Sequence, residues 1–278
     1  MNTNDIMQLS LEMANLQAVP GDTAIYHPGK EIRHVLIGID IDGPEVILAH
    51  NLGYDLAISH HPMGDEAILD FHHVLERHVE QMVAAGVPEE LAKSVTSDTI
   101  HNRRILDSMR NYDRASSIAR VLDMPYMNIH TPLDEIGRRR MSEAASQLGK
   151  QHTVNDLITL FEDHFAEFRN AKTNIEVMVG RQENHLGRTV VSHAAGTNGG
   201  YPVAKAYFDN GVDTVIYIHC RPDDRKKLLR EYQGTMRTLI VTGHIASDSL
   251  GINPFINRLE ECGLEVTPIS GIISASRK

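Results

Sequence analysis

The chain predicts an α/β fold of two related βαβ-containing lobes, each with a mostly parallel sheet and covering helices. Three observations carry this expectation. Short β-branched runs of about five to seven residues alternate with longer segments of helical period, the pattern of strands buried under helices. The 278 residues, 41% of them hydrophobic, supply core for one large domain or two of roughly 150 residues each. The second half repeats the order of strand ends found in the first.

In chain order, a helix over 4–17 precedes the strand His34–Asp40, a helix over 44–51 and the strand Asp55–Ser59. Helical periodicity then covers 65–85, 88–109 and 114–122 before the strand Tyr126–Ile129, and helices follow over 134–148 and 154–165. The strand Thr189–Ser192, a helix over 200–210, the strand Thr214–Ile218, a helix over 222–232 and the strand Thr238–Thr242 complete the alternation. A last helix ends by Cys262, with Gly263 as its C-cap residue. No Pro/Gly/Ser linker or charge run marks a border, so the lobes are expected at about 1–150 and 151–278. The helical stretch 65–122 of the first has no counterpart in the second.

Composition narrows the function. Lys+Arg 27 against Asp+Glu 37 gives a formal charge of -10, the wrong sign for binding nucleic acid or an anionic membrane by bulk electrostatics, although a local basic patch remains compatible with it. Two cysteines, Cys220 and Cys262, cannot build a disulfide framework, so a reducing, cytoplasmic setting is expected. The start, MNTNDIMQLS, lacks the basic and apolar regions of a secretory signal, and no apolar run approaches the roughly 20 residues that span a bilayer. The 16 histidines stand out, because imidazole titrates and ligates metals near neutral pH.

The repeat places several of them at strand ends. NLGYDLAISHHP in the first half ends in His60 and His61, and DNGVDTVIYIHC in the second ends in His219. YMNIHTPLD then sets His130 and Asp134 four apart, and TLIVTGHIASD does the same for His244 and Asp248. Ligands of parallel α/β sheets bind beyond the carboxyl ends of the strands. Adjacent residues leaving a strand point to opposite sides, so His60 and His61 are expected to address different ions. His and Asp four apart on a helical turn face one way and suit chelation of one ion. Spacing alone is weak, since His27/Glu31, His61/Asp65, His72/Glu76, His152/Asp156 and His219/Asp223 share it. Only the pairs 130/134 and 244/248 directly follow an apolar strand in both lobes.

Plainer readings stand beside these. Asp134 follows Thr131 and Pro132 in the manner of a capped helix start. Asp248 equally suits a cap of the last helix, or Pro254 opens that helix and leaves His244 and Asp248 on a loop. The paired histidines also suit a polar core satisfied by main-chain groups. SHAAGTNGG, between a strand and a helix, offers main-chain amides to an anion but matches neither the phosphate-loop nor the dinucleotide pattern, and close packing of the turn is the readier role. His193 at its start is a candidate substrate contact or proton carrier. There is no GxSxG elbow, no CxxC pair and no tryptophan.

Taken together, LAISHHP, NIHTPLD and VTGHIASDSLGINPFINRLEE resemble the three signature segments of the Ngg-interacting-factor-three-like family, also known as type 2 GTP cyclohydrolase I. The resemblance spans nearly the whole chain and is strongest over 32–62, 126–135 and 238–262. It implies two related lobes facing a dinuclear metal site in the cleft between them, and assembly as a hexamer, a trimer of dimers. Residue by residue it implies His60, His61, Asp134, His244 and Asp248 as metal ligands, with His130 beside them. Two departures are specific to this chain. The family usually carries Glu where Asp248 stands, and the missing methylene retracts the carboxylate by about 1.5 Å. The family's acidic pattern after the second-half strand is replaced by HCRPDD, which makes His219 or Cys220 a candidate additional ligand.

Histidine and carboxylate ligands suit a divalent transition metal, two per chain, with zinc or iron expected first and manganese or nickel next. The function these features predict is a metal-dependent hydrolase acting through activated water on a nucleotide-like or other small molecule. In that reading His60 and His244 hold one ion, His61 and Asp134 the other, Asp248 bridges, and His130 or His193 handles protons. The alternative is a non-enzymatic metal-binding oligomer serving as scaffold or regulatory partner, with closed coordination.

Overall fold

The apolar runs become the central strands of two sheets. A computed structural model describes residues 1–275. The chain begins α1 (Thr3–Ala14), β1 (Ala24–His27), β2 (His34–Gly38), α2 (Gly43–Leu52) and β3 (Leu56–Ser59). It continues through α3 (Asp65–Leu69), α4 (Phe71–Val74), α5 (Arg77–Ala84), α6 (Glu89–Ser108) and α7 (Arg114–Leu122) to β4 (Tyr126–Asn128) and α8 (Thr131–Ser146). Then follow α9 (Val154–His164), α10 (Ala166–Arg169), β5 (Glu176–Val179), β6 (Thr189–Val191), α11 (Gly200–Asp209) and β7 (Thr214–Tyr217). The chain closes with α12 (Pro222–Tyr232), β8 (Thr238–Val241), α13 (His244–Glu261) and β9 (Glu265–Ile269).

The strands fall into a sheet of order β1-β4-β3-β2-β9 and a sheet of order β5-β8-β7-β6. Each is parallel except for one antiparallel edge strand, β1 on β4 and β5 on β8. The architecture is therefore the mixed α/β fold with two mostly parallel sheets that the sequence predicts. The order β1-β4-β3-β2 maps onto β5-β8-β7-β6 strand for strand, which is the repeat expressed as topology.

The central strands carry β-branched and aliphatic residues with almost no exposure, as strands covered on both faces require. Three of the four edge strands, β1, β5 and β9, escaped prediction for a physical reason. β9 (EVTPI) is largely exposed and contains Pro268, a residue that only a sheet edge tolerates, so it shows no apolar run. The periodic segment 65–85 is three short helices instead of one. Ala67, Ile68, Phe71 and Val74 keep helical spacing and are buried, so the apolar pattern does not register the main-chain breaks. α13 runs unbroken through Pro254, so His244 and Asp248 lie in its first turns and not on a loop.

Two compact units contain these sheets. The first comprises Met1–Val74, Asn102–Ile136 and Gly251–Ile272, and its core includes Ile37, Ile58, Met127 and Phe255. The second comprises Leu75–His101, Gly137–Leu250 and the residues from Ile273, with a core including Met82, Tyr207, Val215 and Leu239. The units are discontinuous in sequence, unlike a division near residue 150. β9 returns to pair with β2, and Met82, Val87 and Ala92 belong to the second unit's core.

The second unit also buries a histidine that the candidate chemistry does not use. His78 on α5 is fully buried, its Nε2 lies 3.2 Å from Thr197 Oγ1, and burial pushes its pKa down to about 4. The unfolded chain, with an ordinary histidine near 6.5, takes up a proton that the folded chain refuses, so stability falls as pH drops from about 6.5 to about 4. The loss should reach about 3 kcal/mol by the acid end of that window. Urea midpoints measured across it should decline less steeply for His78→Gln than for the unsubstituted chain, and parallel declines would contradict this account.

Candidate metal centre

In the first unit the carboxyl ends of three neighbouring parallel strands bring the candidate residues together. β3 ends at Ser59, and His60 N and His61 N donate to the carbonyls of Gly38 and Ile39 at 2.8 and 2.9 Å. β4 ends at Asn128, so His130 immediately precedes the start of α8 and Asp134 lies one turn into it. The ring centroids of His60 are 5.1 Å from those of His61 and 4.9 Å from those of His130. One ligand atom from each of His60, His61 and His130 lies within 4.8 Å of the others, a spacing one ion spans. The regular strand stops at Ser59, and beyond it the His60 and His61 rings lie 5.1 Å apart, a spacing that suits one ion or two neighbouring ions.

All three imidazoles use Nδ1 in the same way. His60 Nδ1 donates to the Ile129 carbonyl at 3.0 Å, His61 Nδ1 to Asp40 Oδ1 at 2.7 Å and His130 Nδ1 to Asp22 Oδ2 at 2.6 Å. These acceptors assign the proton to Nδ1 and leave each Nε2 as the nitrogen that can take up an ion or a proton, the arrangement found around metal-bound histidines. Asp134, 4% exposed, sets Oδ1 3.2 Å from His60 Nε2 and Oδ2 3.6 Å from His130 Nε2. Its carboxylate therefore faces His60 and His130, where the sequence reading paired it with His61. A buried carboxylate among imidazole nitrogens turned toward it is a donor set that fits a divalent ion.

Asp22 and Asp40 are the residues that sequence reasoning missed. Asp22 is fully buried and also accepts from Thr131 Oγ1 at 2.6 Å and Thr23 Oγ1 at 3.2 Å. Asn128 of β4 places it, accepting from Ala24 N and Tyr26 OH while donating to the Asp22 carbonyl at 2.7 Å. Nothing local in GDT signals this role. Asp40 closes the predicted strand 34–40, so its position at a strand end was a usable signal. Burial acts first to lower the His130 pKa, but the charges of Asp134 and Asp22 outweigh it and raise the pKa.

In the second unit, β6, β7 and β8 end in front of His193, His219 and His244. His244 Nε2 lies 3.4 Å from Asp248 Oδ2 across one turn of α13, and Asp248 is 2% exposed while the His244 side chain is 44% exposed. The helical geometry that chelation by this pair needs is present. The His219 ring stacks edge-on against His244 at 4.9 Å and takes a contact of 3.1 Å from Asn198 Nδ2. Burial, then the neighbouring His244, pushes the His219 pKa down to about 4, so that ring is neutral near pH 7. His193 is buried, and its carbonyl accepts from Gln81 Nε2 at 2.6 Å. Cys220 is a free thiol whose pKa is raised by burial, which disfavours the ligating thiolate.

Comparison with known proteins places the whole chain. It is similar to a NIF3 superfamily protein from Sphaerobacter thermophilus, with 45% identity, coverage of 98% of each chain and a TM-score of 0.93. The fold is shared at lower identity with reduced HcgD from Methanocaldococcus jannaschii, at 15% identity, coverage of 96% and 97% and a TM-score of 0.57. It is also shared with hypothetical protein SA1388 of Staphylococcus aureus, at 13% identity, coverage of 100% and 99% and a TM-score of 0.54. No family model and no curated protein matches the chain. Among the described residues no helix is long and apolar enough to cross a membrane.

Proposed function

The chain belongs to the NIF3 superfamily, and on that premise we propose that it is a dinuclear metal-binding protein acting as a metal-dependent hydrolase on a nucleotide-like or other small molecule. One observation carries the proposal: three imidazoles hold Nδ1 against oxygen acceptors, and Nε2 of His60 and of His130 lies beside the buried Asp134 carboxylate. The ligands assigned are His60, His61 and Asp134 of the first unit and His244 and Asp248 of the second. Zinc or iron suits this nitrogen and oxygen set best, with manganese or nickel next.

Bound divalent ions supply Lewis acidity, polarising a substrate oxygen and making water nucleophilic near neutral pH. The chain's own residues do the rest. The Ile129 carbonyl and Asp40 orient His60 and His61. His130 is the proposed proton carrier, taking a proton at Nε2 while Asp22 holds Nδ1 and stabilises the cationic ring. His193 is assigned as a second proton carrier or substrate contact. The reading includes the homo-oligomer, a hexamer, and the cytoplasmic setting that the sequence suggests.

Elemental analysis of dialysed protein, followed by a screen of nucleotides and phosphoesters, tests the proposal. About two equivalents of a transition metal per chain and chelator-sensitive turnover are expected. A single equivalent would mean that the shorter Asp248 has cost the second ion. Full occupancy without turnover would leave the metal-binding scaffold as the correct reading.

A further inference from the structure

The glycine-rich segment between β6 and α11, which the proposed chemistry leaves unused, walls a cavity of about 270 Å³. The end of β7 and the start of α12 line the same cavity, so it lies beyond the carboxyl ends of two neighbouring parallel strands of the second unit. The fold pins the glycine-rich segment at three points. Thr197 Oγ1 accepts from Gly199 N and lies 3.2 Å from Nε2 of the buried His78. Asn198 Oδ1 accepts from Ile218 N at 2.9 Å, and Tyr217 OH donates to the Gly200 carbonyl at 2.9 Å. A Cβ at Gly200 would meet Asp224 Oδ2 at 2.8 Å, so glycine at this position is what lets that carboxylate lie against the loop.

Arg221 and Asp224 bring one charge of each sign to the lining. They do not neutralise each other: Arg221 is extended ahead of α12, Asp224 lies in its first turn, and no ion pair joins them. Neither side chain has a hydrogen bond or ion pair elsewhere among the described residues. Their neighbours on the helix do, since Asp223 pairs with Lys226 at 3.3 Å and Arg225 Nε donates to the Met178 carbonyl at 3.1 Å. A guanidinium without an acceptor binds a carboxylate by paired, charge-assisted hydrogen bonds, and a carboxylate without a donor binds an ammonium. A simple anion would satisfy Arg221 alone and meet Asp224 as a like charge. The volume is below the roughly 300–1,000 Å³ of pockets for drug-sized ligands, which restricts the occupant to a small metabolite.

We propose that this cavity binds a small zwitterion, an ammonium and a carboxylate on one molecule, as in an amino acid or a dipeptide. Its carboxylate meets Arg221 and its ammonium meets Asp224. The assignment rests on neither a bound metal nor the proposed hydrolysis. Equilibrium dialysis of the full chain with radiolabelled L-alanine, and separately with L-alanyl-L-alanine, tests it, with a chelator present so that neither probe ligates a bound ion. Saturable binding of at least one is expected, and which one saturates separates a free amino acid from a dipeptide. Analogues of the probe that binds, N-acetylated to remove the ammonium or amidated to remove the carboxylate, should compete about tenfold more weakly or worse. These analogues test the charges from the ligand's side, so the result does not depend on a variant folding. Arg221→Gln and Asp224→Asn should each weaken binding about tenfold. Lys226→Gln, which removes a charge from the same helix outside the cavity, should leave it unchanged. The proposal is overturned if neither probe saturates, if either analogue competes as well as its parent compound, if either cavity variant binds as tightly as the unsubstituted chain, or if Lys226→Gln weakens binding equally.

Discussion

Asp134→Ala is expected to lower transition-metal affinity by more than about a hundredfold, beyond the 10- to 100-fold typical of groups that only orient a ligand. The carboxylate faces Nε2 of both His60 and His130, so its loss removes a donor and the negative charge nearest those two nitrogens. Thermal melting provides the check. A hundredfold excess of metal over the dissociation constant stabilises the parent by about 3 kcal/mol and should raise its melting temperature, while the variant should show no such rise. Metal-free Asp134→Ala should still fold, because His60 and His130 keep their Nδ1 partners. An undiminished metal-induced shift in the variant would falsify the ligand assignment.

Asp22→Ala should have the second largest effect, on stability as well as on the proposed turnover. The side chain accepts from His130 Nδ1 and from the hydroxyls of Thr131 and Thr23, and all of these lie in buried surroundings. Removing it strands buried donors at about 1–3 kcal/mol each, so a total loss of about 3 kcal/mol or more is expected in chemical denaturation. Metal-dependent turnover should fall about 100-fold or more, because His130, the proposed proton carrier, loses the acceptor that orients its ring and stabilises its cation. Asp22→Asn separates the two effects. It keeps an acceptor oxygen, so it should recover much of the stability, yet it lacks one of the two charges that raise the His130 pKa, which should therefore fall relative to the parent. Equal stability of the alanine and asparagine variants would show that the hydrogen bonds are not what matters at this position.

The strand ends were legible because parallel strands buried on both faces concentrate apolar residues in short runs, and the polar residue that ends such a run is conspicuous. LAIS followed by His60 and His61, and TLIV followed by the turn into His244, are cases of this. The i, i+4 relation of His130 to Asp134 and of His244 to Asp248 was legible for the same local reason, once both proved to lie at helix starts. β1, β5 and β9 were not, because an edge strand needs no continuous apolar run and takes its place from a partner remote in the chain. β9 pairs with β2 across more than two hundred residues of sequence.

Local pattern therefore specified which residues stand at the strand ends, since periodicity and burial act over a few neighbouring positions. The residues that hold the imidazoles in place answer to a different rule. His130 and Asp22 are 108 residues apart and meet only because β1 pairs antiparallel with β4 and Asn128 ties down the segment before it. Whether His60 and His61 diverge or converge, and whether Asp134 caps a helix or faces imidazoles, likewise depended on where β3 stops and on what packs beyond it. Residue types and spacing are properties of the chain, but a hydrogen bond of 2.6 Å between distant residues exists only when the folded core has brought their backbones together.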